Sequence, residues 1–97
     1  MSKRTVLKKL TDHFDEIRKQ FSVEMLSIFG SVARNQAKGK SDVDILVVFN
    51  KKATFDLFMD LKFYLEELLG TKVDLVTDKA LRPQIRLAIQ QELINVA

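Results

Sequence analysis

The stretch DVDILVVF, Asp42 to Phe49, places two carboxylates two residues apart at the head of a run that is otherwise strongly β-branched. Such a run reads as a buried strand, and Asp has poor strand propensity and a high cost of burial as a charge unless it is paired or bound to metal. Successive strand residues point to opposite faces, so Asp42 and Asp44 share one face. A second short strand, Lys72 to Thr77, carries Asp74 between Val73 and Leu75. If these strands are neighbours, three carboxylates converge on one patch of sheet, and their repulsion calls for a cation.

The ligand chemistry narrows quickly. The chain has no Cys and a single His, His13, so thiolate sites, His clusters and a Ser-His-Asp triad are excluded within it. Any metal is held by oxygen. Mg²⁺ suits carboxylates, waters and substrate phosphates and takes one or two protein carboxylates per ion. Three aspartates therefore fit two ions roughly 3.5–4 Å apart, the arrangement used for in-line displacement at phosphorus. His13 reads as a partly exposed helical residue beside an apolar stripe.

Around the aspartates the chain alternates helical and strand patterns. Val6, Leu7, Leu10, Phe14, Ile17 and Phe21 recur at steps of three and four and predict one helix from Lys3 to Gln20. Val23 to Phe29 predicts a buried strand that stops at Gly30. Ser31 to Arg34 predicts a short helix that Ser31 can cap, and Asn35 to Ser41 a polar loop. Phe55 to Leu69 predicts a helix preceded by Thr54 and closed by Gly70. Asp78 and Pro83 open a last helix with Ile85, Ala88, Ile89 and Leu93 on one side, and Ile94 to Val96 form a short final strand. This order predicts an α/β (α+β) fold, a sheet with about four helices packed on it. At 97 residues, 1–97 is expected to be a single domain. No apolar run reaches the roughly 18 residues of a membrane span, and the start is no signal peptide, so a cytoplasmic protein without membrane contact is expected. The 16 Lys and Arg against 13 Asp and Glu give a net charge of +3, and the cations are spread along the chain. No direct nucleic-acid binding is expected from that distribution.

Phe29-Gly30-Ser31 adds a phosphate element. A Gly-Ser turn between a strand and a short helix frees backbone N–H groups, Ser31 offers a hydroxyl, and Arg34 can pair with phosphate oxygens. There is no GxxxxGK[ST] motif, so this is not a Walker A loop. A phosphate turn followed by metal-binding carboxylates suits a nucleoside triphosphate.

The run GSVARNQAKGKSDVDILV, Gly30 to Val47, resembles the signature of the DNA polymerase β-type nucleotidyltransferase superfamily: a Gly-Ser pair, about ten residues, Asp-x-Asp in a strand, and a later acidic strand residue. Together with LLGTKVDLVTDKALRPQIR it resembles the minimal nucleotidyltransferase (MNT) proteins, from Phe29 to about Arg86. The resemblance implies a mixed sheet, ATP as substrate with two Mg²⁺, and transfer of a nucleoside monophosphate to a hydroxyl with release of pyrophosphate. It further implies an antitoxin whose partner is a HEPN-domain ribonuclease toxin, adenylylated on a tyrosine. Gly30 and Ser31 would bind the triphosphate, with Arg34 as a further phosphate contact. Asp42 and Asp44 would hold both metals, and Asp74 the metal at the attacking oxygen. Lys38, Lys40 and Ser41 receive no role. Two other readings stay open: an antitoxin that neutralises its partner by binding alone, and transfer to a small molecule such as an antibiotic.

Overall fold

A computed structural model describes residues 2–36 and 42–96. The predicted loop residues Lys38, Gly39, Lys40 and Ser41 lie outside the described set. The elements run α1 (Lys3–Asp12), α2 (Phe14–Phe21), β1 (Val23–Phe29), α3 (Gly30–Ala33), β2 (Val43–Phe49), α4 (Phe55–Leu69), β3 (Val73–Thr77), a 3-10 turn (Asp78–Ala80), α5 (Pro83–Gln90) and β4 (Ile94–Asn95). The four strands form one sheet in the order β3-β2-β1-β4. β1 pairs antiparallel with β2 and with β4, and β2 pairs parallel with β3, so the sheet is mixed. The parallel pair needs a crossover, and α4 supplies it.

The strands alternate as the period of two requires. Val43, Ile45 and Val47 of β2 are fully buried, and Leu26 and Ile28 of β1 and Val73 and Leu75 of β3 join them in the core. Against that face pack Val6 and Leu10 of α1, Ile17 and Phe21 of α2, and Leu61, Leu65 and Leu69 of α4. Burying each of these aliphatic side chains contributes about 1.5–3 kcal/mol. Thr54 caps α4 by accepting from the Leu57 N–H at 3.1 Å, and Gly70 ends it in the left-handed region at φ 70°.

Three local expectations are corrected. The single helix over Lys3–Gln20 is two, because His13 leaves helical geometry (φ −109°, ψ 7°) and its ring Nδ1 lies 2.9 Å from the Lys9 carbonyl. Both halves keep their apolar residues on the core, which is why the periodicity ran through the break. Ser31 does not cap α3: that helix starts at Gly30, its N-cap residue is Phe29, and no side chain caps it. The last helix starts at Pro83, apart from the Asp78–Ala80 turn, and buries none of its residues. Leu87 is 70% and Ile85 45% exposed, while Arg86, Ile89 and Gln90 border a cleft with Leu46 and Val48 of β2.

Candidate active site

The second face of the sheet carries the predicted aspartates. In the parallel β2–β3 register Asp44 stands opposite Asp74, so the two carboxylates share one face of adjacent strands. Both are on the side away from the buried Val43, Ile45 and Val73. Asp42 is exposed and lies just before β2, which starts at Val43.

Their electrostatics follow from the placement. Partial burial raises the Asp44 carboxyl to about 6, helped by the charge and hydrogen bonding of Asp74 and by the charge of Asp42, with Arg34 opposing. Asp44 and Asp74 are thus within hydrogen-bonding reach of each other, and Asp42 acts on Asp44 through charge. Among the described residues no three carboxylates gather closely enough to ligate one ion together. The Asp44–Asp74 pair still fits a hard cation, because Mg²⁺ takes one or two carboxylates and completes its shell with water and phosphate oxygens. The donor set contains oxygen alone, and the repulsion within the pair is what a divalent cation relieves.

The Gly-Ser turn meets this pair from β1. Phe29 is registered against Asp44, so Gly30 leaves the sheet beside that carboxylate. Gly30 has φ +74°, and a Cβ built on it would lie 3.0 Å from Asp44 Cγ and overlap Oδ2. Glycine is required twice over: by the backbone region and by the close approach of Asp44. Ser31 is half-buried in α3, and its carbonyl accepts the Gln36 N–H at 2.8 Å. Arg34 follows α3, and its guanidinium is near enough to act on the Asp44 charge.

Sequence reasoning missed one residue here. Glu92 accepts from the Gly30 N–H through Oε1 at 3.0 Å and from Arg34 Nη1 through Oε2 at 2.8 Å. The Arg34 hydrogen bond holds its carboxyl below the ordinary value, against its desolvation and with the Gly30 N–H assisting. Nothing in the local sequence flags Glu92, which is 62 residues from Gly30. It arrives through β4, where Ser27 pairs with Asn95 and Ile28 with Ile94. Ser27 Oγ donates to Asn95 Oδ1 at 2.6 Å and the Val96 N–H to the Leu26 carbonyl at 2.8 Å, which fixes the register.

A glycine turn pressed on a strand carboxylate, beside a second acidic strand, is the arrangement the motif resemblance implied, and residues 7–96 match the family described as the nucleotidyltransferase domain. The chain belongs to that family. It is similar to the protein adenylyltransferase MntA of Thermococcus cleftensis, 42% identical over 87 residues that cover 90% of this chain and 88% of the relative. A solved structure described as a minimal nucleotidyltransferase superposes with a TM-score of 0.82 at 34% identity, over 97% of this chain and 95% of that one. A Shewanella oneidensis complex of a tri-AMPylated HEPN toxin with an MNT antitoxin is alike in fold, with a TM-score of 0.68 at 15% identity over 94% of this chain and 71% of that one. The mixed sheet with its helices is thus a minimal nucleotidyltransferase fold, and the chain is a nucleotidyltransferase. In this nucleotidyltransferase Asp44 and Asp74 stand side by side on β2 and β3 with Gly30 against Asp44, Asp42 lies just before β2, Ser31 and Arg34 lie in and just after α3, and Glu92, just before β4, binds Gly30 and Arg34.

Proposed function

We propose that this chain, as one domain over residues 1–97, transfers AMP from ATP to a hydroxyl, a tyrosine, of a partner HEPN ribonuclease toxin in the cytoplasm and acts as its antitoxin. The observation that carries the reading is the Asp44–Asp74 pair set against the Gly30 turn. The MntA relative is named a protein adenylyltransferase, and the fold is shared with an antitoxin bound to an AMPylated toxin.

In this reading Asp42, Asp44 and Asp74 would hold two Mg²⁺ ions. When bound, the ions neutralise charge on the phosphates and lower the pKa of an attacking hydroxyl. Gly30 and Ser31 bind the triphosphate through a backbone N–H and a hydroxyl, and Arg34 neutralises phosphate charge. The acceptor oxygen forms a bond to the α-phosphorus as the bond to the β-phosphate breaks, and pyrophosphate leaves. Asp74 assists removal of the hydroxyl proton. The chain supplies alignment and charge rather than a covalent intermediate, so the lack of a His base is no obstacle.

The test is to incubate the purified chain with Mg²⁺, ATP and its partner and to weigh the partner. Mass gain in steps of one adenylyl group is expected, and none from the chain carrying both Asp42→Asn and Asp44→Asn. A partner that stays unmodified under saturating ATP overturns the reading. Neutralisation that survives in the double variant points to binding alone.

The Asp44 shift also sets a pH dependence. The carboxyl ionises near 3.8 in an ordinary environment and near 6 in the fold, so between these values the folded chain binds the extra proton. Its stabilising contribution is complete below about 3.8 and is lost as pH rises through 6. With chelator present, the melting temperature of wild type relative to Asp44→Asn should fall between pH 5 and pH 7.5. Mg²⁺ should recover that loss at pH 7.5 and do little at pH 5. A constant difference at both pH values would contradict the assigned repulsion.

A further inference from the structure

We propose that Glu92 is a built-in stand-in for a nucleotide phosphate: its carboxylate holds the Gly30 N–H and the Arg34 guanidinium in the empty chain and is displaced when the triphosphate binds. The inference rests on the reading of Gly30 and Arg34 as phosphate contacts and deepens it. Both oxygens of Glu92 are engaged, one by each donor, at 3.0 and 2.8 Å. That is the demand a phosphate makes, two anionic oxygens met by a backbone N–H and an Arg.

The two occupants exclude each other. Gly30 has a single N–H proton, and it points at Glu92 Oε1. A phosphate oxygen accepting that proton would meet the Glu92 carboxylate at the same donor, and the two anions would repel. Arg34 has a further donor, Nε, which is 3.2 Å from Gln36 Oε1, but only Nη1 faces the glutamate.

Displacement is within reach of a side chain alone. Glu92 follows α5 and precedes β4, and the antiparallel register that pairs Ile28 with Ile94 runs on to place it beside Gly30. Its side chain is 22% exposed, so an outward path to water exists without unzipping β4. The cost of breaking the clamp is subtracted from nucleotide affinity, since the apparent dissociation constant rises as the fraction of open clamp falls. In return the clamp keeps the turn and Arg34 arranged before any nucleotide arrives.

Calorimetric titration of ATP with Mg²⁺ into wild type, Glu92→Gln and Glu92→Ala tests this. Both variants should bind about tenfold more tightly, with Glu92→Ala at least as tight as Glu92→Gln, because a charged clamp no longer competes. A purely structural role predicts the opposite, weaker binding. The conservative Glu92→Gln guards against a misfolded alanine variant. An amide NMR spectrum gives a second readout. The Gly30 resonance should differ between wild type and Glu92→Ala without nucleotide and coincide once ATP is bound, since phosphate is then the acceptor in both.

Wild type that binds ATP while neither variant binds more tightly, or Gly30 resonances that stay apart with ATP bound, overturns the Glu92 assignment and leaves the proposed function standing. Wild type that binds no ATP overturns the nucleotide reading, and this inference falls with it.

Discussion

Asp44→Asn should lower AMP transfer on the order of 10³-fold while leaving the empty chain as stable as wild type or more so. The rate loss corresponds to roughly 4 kcal/mol of transition-state stabilisation, the scale of removing a preorganised charge contact at a reacting phosphate. The stability effect has the opposite sign because Asp44 is raised to about 6 by burial and by Asp74, so at neutral pH its ionised form is under strain. Asn keeps the shape and removes the charge. A gain of a few degrees in melting temperature is expected in chelator at pH 7.5, given that about 1 kcal/mol moves a domain of this size by 4–8 °C. Mass spectrometry of the partner and a thermal melt, run together, check both. A variant that loses activity and stability together would show Asp44 to be a structural residue.

The two left-handed glycines among the described residues give the second large effect and serve as mutual controls. Gly30 and Gly70 have nearly the same φ, +74° and +70°, but a Cβ on Gly70 meets nothing within 4 Å whereas one on Gly30 overlaps Asp44. Gly70→Ala should therefore cost only the left-handed strain, about 1 kcal/mol, with transfer retained. Gly30→Ala adds the overlap, so about 2–4 kcal/mol is expected, together with loss of transfer because Asp44 must move. Urea unfolding curves supply the stabilities. Equal losses in the two variants would mean that the close approach of Gly30 to Asp44 has no consequence.

The motif was legible because its parts are local. Asp42 and Asp44 stood out as charges in a strand run, and Gly30-Ser31 as a turn, without any knowledge of strand order. The helix break at His13 was not legible, since α1 and α2 send Val6, Leu10, Ile17 and Phe21 to one core and keep the helical spacing across the break. The exposure of α5 was not legible either: Ile85, Ala88 and Ile89 have the spacing of a core stripe, yet α5 buries none of its residues.

The sequence by itself determined the kinds of elements, the placement of Asp44 and Asp74 within strands, the lack of any Cys ligand and the family. Side-chain periodicity and turn chemistry act over a few residues, and that range suffices for each of these. Only the tertiary structure decided that β2 and β3 run parallel with Asp44 opposite Asp74, and that β4 brings Glu92 beside Gly30. Those are choices of strand order and register between segments tens of residues apart. They are settled by which apolar faces bury together against α1, α2 and α4, a global balance that no local pattern encodes.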